Sequence, residues 1–208
     1  MVKKVLKDML DLSCSLFDLI DLKAEIMKKA GAEGQLCNIL KYELMTFMMC
    51  LSAVDGRISR VEAQLIREYF GIEIYPIHIK EMIKENGIGE EVYYKKVPEC
   101  LKIAVEVDNY LHSIDSELNT GISDTILELF RVFGKEMVVA DDKVKYEEQL
   151  SWSLYISMMT NYIADNCSKE ITYKGKVVRP GEPIIVDYEN SFSKVGRIYT
   201  IYYGKLDV

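Results

Sequence analysis

The chain has 208 residues and a formal net charge of −7, long enough to bury a sizeable hydrophobic core. That acidic balance excludes a general phosphate-gripping surface, because non-specific nucleic-acid affinity rests on clustered lysine and arginine. It also argues against adhesion to anionic lipid.

The chain opens Met-Val-Lys-Lys, as a signal peptide does, but Lys7, Asp8 and Asp11 interrupt the apolar run such a peptide needs. Residues 2–30 place Val5, Met9, Leu12, Leu16, Leu19 and Ile20 at intervals of three and four, which predicts an amphipathic helix closed by Gly31 and Gly34. A second helix runs from near Gln35, with Leu40, Leu44, Phe47, Met48 and Leu51 as its stripe, and stops at Gly56. Ser59 and Glu62 form a capping-box pattern for a third, whose buried face is Val61, Leu65, Ile66 and Tyr69 before Gly71 ends it.

Pro76 leads a short helix toward Asn86-Gly87. Val97 to His112 predicts a longer one carrying Leu101, Ala104, Val105, Asp108 and Leu111, so a carboxylate lies on or beside its apolar face. From Ser123 the pattern resumes with Ile126, Leu129, Phe130, Phe133 and Met137, and then with Leu150, Leu154, Met158, Tyr162 and Ile163. The longest charge-free stretch, 150–164, is too short and too polar to span a bilayer.

After Asn166 the composition changes to valine, isoleucine, tyrosine and glycine. Ile171-Thr-Tyr and Lys176-Val-Val around Lys174-Gly175 read as a hairpin, with further strands at 184–188 and 197–203. The expected organisation is a helical domain over 1–168 and a small β-rich appendage over 169–208. The five cysteines (Cys14, Cys37, Cys50, Cys100 and Cys167) are odd in number and widely spaced. They read as reduced thiols of a cytoplasmic protein. His78 and His112 are the only histidines and stand at no metal-ligand spacing with a cysteine. The chain contains no phosphate-loop, nucleophile-elbow or dinucleotide-binding signature.

The sharpest feature is an acidic turn that occurs twice, as Asp55-Gly-Arg-Ile-Ser-Arg-Val-Glu62 and Asp141-Asp-Lys-Val-Lys-Tyr-Glu-Glu148. Each follows an apolar helical run. An EF-hand is excluded, because the first and third ligand places hold Leu51 and Ala53 in one copy and Met137 and Val139 in the other. Asp55, Glu62, Asp141 and Glu148 are the four candidate ligands for one divalent cation, calcium or magnesium, with Asp108 or Asp142 as further contributors. The competing reading makes the same carboxylates ordinary helix caps.

Leu51-Ser-Ala-Val-Asp-Gly-Arg-Ile-Ser-Arg-Val-Glu62, the related 139–148 turn, and Val97-Pro98 before a helix carrying Asp108 resemble the TerB-like family of bacterial tellurite-resistance proteins. The resemblance covers roughly 35–165. It implies a mainly α fold, a helical bundle of two related helix–turn–helix halves whose acidic turns approach one another. It also implies a cation-binding cluster and a non-enzymatic stress-response role through a protein partner. Asp142 stands where the second copy would have its glycine, and the β appendage has no counterpart in the minimal domain. The alternative is an interaction scaffold, forming homo-oligomers or meeting another protein, in which the N-terminal helix or the tyrosine-bearing tail makes the contact.

Overall fold

The computed structural model describes residues 2–29, 35–85, 96–115, 121–141 and 144–167, together with the backbone of short segments beyond them. The chain is mainly helical. In order the helices are α1 (Val2–Asp21), α2 (Ala24–Lys29), α3 (Leu36–Ala53), α4 (Arg60–Phe70), α5 (Pro76–Glu85), α6 (Glu99–Ile114), α7 (Ile122–Val138) and α8 (Tyr146–Asn166). No helix among the described residues is long and apolar enough to cross a membrane. The expected stops at Gly31, Gly34 and Asn86-Gly87 fall outside the described residues, as does most of the expected 169–208 appendage.

The residues cluster into two compact units. One comprises Met1–Glu43, Val97–Phe130 and Met159–Pro180; the other comprises Leu44–Lys96, Arg131–Met158 and Gly181–Val208.

In the first unit the predicted N-terminal helix is two helices, because the chain turns at Leu22 and Lys23. Its core face also differs from the expected one. Leu6, Leu10, Cys14 and Phe17 are buried, whereas Val5, Leu12, Leu16 and Leu19 face solvent. Two apolar stripes compete on α1, and spacing alone does not say which one meets the core.

Three helices with a start in this unit lean on a carboxylate from elsewhere in the chain. Leu36 N–H donates to Asp21 at 3.0 Å. Glu99 and Cys100 N–H donate to Glu43 at 2.8 and 2.9 Å, where Pro98 offers no side-chain cap. Ile122 and Ser123 N–H donate to Asp108 at 3.2 and 2.9 Å, and the Ser123 hydroxyl adds a third bond at 2.6 Å. Each carboxylate meets both the orphan amides and the positive end of the helix dipole.

Cys14 and Cys37, one on α1 and one on α3, are both buried. Burial, followed by a hydrogen bond with the Cys37 thiol, pushes the Cys14 thiol up to about 12.

In the second unit α4 carries the predicted capping box, with Ser59 accepting from Glu62 N–H and Glu62 accepting from Ser59 N–H. Gly71 closes the helix in the left-handed region at φ 67°. Leu65, Ile66 and Tyr69 are buried as expected, but Val61 is exposed. The aromatic core stacks Phe47 on Tyr155 (ring centroids 4.7 Å apart) and sets Tyr69 edge-on to Phe133 (4.8 Å). Trp152 anchors its indole N–H on the Arg131 carbonyl at 3.1 Å.

The expected stripe on α8 needs correcting as well. Leu150, Leu154, Met158 and Tyr162 are only half-buried, while Ser151, Trp152, Ser153, Tyr155, Ser157 and Met159 are buried. This helix is covered around most of its circumference, and small hydroxyls bond back along it, as Ser153 does to the Gln149 carbonyl at 2.5 Å. A helix buried on several sides has no single period to read.

Candidate functional site

The site begins at the end of α3. Gly56 takes φ 76°, a backbone region open to glycine without steric cost, so the chain reverses there. Asp55 closes the turn by accepting Arg57 N–H at 2.8 Å, an Asx-turn that presents its other oxygen away from the backbone. Six residues on, Glu62 is held by its capping box and fully buried.

The second turn follows α7 and delivers Asp141, Lys145 and Glu148. Asp142 lies outside the described residues. Lys145 precedes α8, and its ammonium reaches Asp55 at 2.9 Å, Glu148 at 2.9 Å and Asp141 at 3.4 Å. Residues from both turns therefore meet, within one unit, around a cation that belongs to the chain itself.

Aligning the two copies explains the difference between them. Asp55 corresponds to Asp141, Glu62 to Glu148, and Ser59 to Lys145. In the first copy the middle position is a hydroxyl that accepts from its own helix. In the second copy it is an ammonium, which has no lone pair to offer an amide and reaches across instead.

The electrostatics follow from counting charges. Four carboxylates stand within interaction range of one ammonium, so the cluster has surplus negative charge. Glu148 is 1% exposed. Burial first, then the neighbouring charges of Glu62 and Asp55, push its carboxyl up to about 7 against the pull of Lys145. Glu62 is also raised, by burial first, with the Asp141 charge adding to it and Ser59 and Lys145 opposing it. At Asp55 burial works against the charge, but the bonds from Lys145 and Arg57 outweigh it and the carboxyl sits below its ordinary value. Lys145 is raised: burial opposes its charge, and its bonds to Glu148 and Asp55 overcome that. One proton is thus shared across the cluster near neutrality rather than owned by one residue.

This fixes the sign of a pH dependence. The folded value of Glu148 (about 7) lies above its ordinary 4.5. Its contribution to stability is fully present below 4.5 and is lost as pH rises through 7, a swing of roughly 3 kcal/mol. Asp55 works the other way, contributing above 3.8 and losing that contribution as pH falls through its lowered folded value. Urea unfolding is expected to show greater stability at pH 5 than at pH 8, with the difference largely removed in Glu148→Gln. An unchanged difference in that variant would remove Glu148 as its source.

Of the candidate ligands, Asp55, Asp141 and Glu148 converge on Lys145, and Glu62 stands within electrostatic reach of the same group. Asp108 belongs to the first unit, where its carboxylate caps α7. Among the described residues, no group of three or more histidine, cysteine, aspartate and glutamate side chains is arranged to hold a metal ion. The residue that sequence reasoning passed over is Lys145. Its signal was present, since it stands four residues after Asp141 and three before Glu148, the spacings at which helical side chains meet.

No family model, no curated protein and no solved structure matches the chain.

Proposed function

We propose that this chain is a non-enzymatic helical interaction module of the TerB-like type, whose paired acidic turns are clamped by Lys145 rather than by a divalent cation. One observation carries the reading: a single ammonium within 2.9–3.4 Å of Asp55, Asp141 and Glu148. A calcium ion needs six to eight oxygens and would have to displace that ammonium to reach these three. The turns then serve to join two helix–turn–helix segments, and the chain acts through the surfaces this joint supports. Stress response through a protein partner is the role the TerB-like resemblance implies for such a module.

The same proposal includes a β-rich appendage over 169–208. Its support is backbone pairing: Ile171–Tyr173 runs antiparallel to Lys176–Val178, Ile184–Asp187 to Ile198–Tyr202, and the latter to Lys205–Asp207.

The second reading is a cation sensor in which calcium or magnesium competes with Lys145 for Asp55, Glu62, Asp141 and Glu148. The convergence of both turns keeps it in play. Thermal unfolding in calcium, magnesium and manganese against chelator separates the two. An ion held only by the native state, at a hundredfold above its dissociation constant, adds about 2.7 kcal/mol. The clamp reading expects no rise in midpoint. A rise that disappears in Asp55→Asn/Asp141→Asn would establish the sensor instead.

A further inference from the structure

We propose that the solvent-facing stripe of α1 is the contact face of an antiparallel homodimer, a second copy of this chain being the partner that the interaction-module reading requires. The stripe is Val5 (59% exposed), Leu12 (74%), Leu16 (44%) and Leu19 (62%). Val5, Leu12 and Leu19 recur every seven residues with Leu16 between, the repeat that keeps one seam of a helix against a partner helix. Scattered exposed leucines need no explanation, but a continuous line of them along one helix does. The opposite face of α1 already supplies Leu6, Leu10, Cys14 and Phe17 to the core, so the outer stripe is surplus to folding the unit.

The charges on α1 choose the partner and its direction. Lys3, Lys4 and Lys7 occupy the N-terminal part, while Asp11 and Asp18 lie further along. The first turn has no acidic residue and the last turn no basic one. That order opposes the helix dipole, which favours anions at the start and cations at the end. A second α1 laid antiparallel supplies what the isolated helix lacks. It brings acidic residues to the lysine end and lysines to the acidic end, with Lys4 of each copy beside Asp18 of the other. A parallel copy would set lysine beside lysine. A single pair of helices gives an interface at the small end of the range, below about 1,200 Å², so the dimer should dissociate in the micromolar range.

Sedimentation velocity on the full chain, across roughly 1–200 μM, tests this. The wild type is expected to pass from monomer to dimer, and Leu12→Asp to stay monomeric with an unchanged circular dichroism spectrum, since that side chain packs against nothing in the fold. Lys4→Asp should weaken the dimer by about tenfold or more, and Lys4→Asp/Asp18→Lys should restore it. A wild type that stays monomeric, or a dimer that survives Leu12→Asp, overturns the proposal. So does a charge swap that fails to restore association, which would remove the antiparallel direction. None of these results touches the ion titration that decides the clamp reading.

Discussion

Lys145→Met is expected to destabilise the protein by about 3 kcal/mol at pH 8, because it leaves a buried carboxylate without its cation. Methionine keeps most of the apolar stem and removes only the charge, so the loss reports electrostatics rather than packing. The pH dependence is the diagnostic part. Without the ammonium, Glu148 and Glu62 become still harder to ionise, so stability should fall more steeply between pH 5 and pH 8 than in the wild type. At pH 5, with Glu148 protonated, much of the penalty should disappear. Adding Glu148→Gln to Lys145→Met should recover part of the pH 8 loss, because the buried charge is then gone from both sides. Urea midpoints for the four proteins at the two pH values give the full cycle. If Lys145→Met unfolds at the wild-type urea concentration at pH 8, the ion pairs contribute nothing to stability and the clamp is only a geometric coincidence.

Gly134→Ala is expected to cost as much or more, for a steric reason. A Cβ built on Gly134 would overlap the Trp152 indole, lying 2.6 Å from Nε1, and would stand 2.9 Å from Phe47 Cε1. Neither ring has room to retreat. Trp152 is pinned through its hydrogen bond to the Arg131 carbonyl, and Phe47 is stacked on Tyr155. One added methyl group must therefore displace two rings of the packed core, a loss of about 3 kcal/mol or more, at the upper end of the overpacking range. This outweighs the gain of up to about 1 kcal/mol that alanine brings to a helix interior relative to glycine. Thermal unfolding decides it: a midpoint at or above the wild type would mean that the rings yield freely.

The contrast between these two residues shows what was legible in the sequence. Features that act within one turn of chain were readable: the Ser59–Glu62 capping box, the Gly71 stop, the Pro76 start and the stripe of α3. Both acidic turns were found, and the prediction that their carboxylates lie together holds for Asp55, Asp141 and Glu148. The identity of the cation among them was missed. Attention to acidic ligands treated Lys145 as a spacer, although its spacing to Asp141 and Glu148 was in plain view. Gly134 looked like an ordinary glycine in a helical run, because the rings that require it come from distant parts of the chain. The core face of α1 was misassigned for a related reason: both of its apolar stripes have helical spacing, and only the neighbours decide which one is covered. On α8 burial from several sides erased the period altogether.

The three carboxylate caps of the first unit form a series. Asp21 lies at the end of α1 and serves α3; Glu43 lies in α3 and serves α6; Asp108 lies in α6 and serves α7. Every donor precedes its recipient in the chain. Since a protein emerges from the ribosome N-terminus first, each of these helices finds its anchor already synthesised when its own first turn appears. Assembly of the unit can therefore keep pace with translation, without any helix start waiting for a residue not yet made.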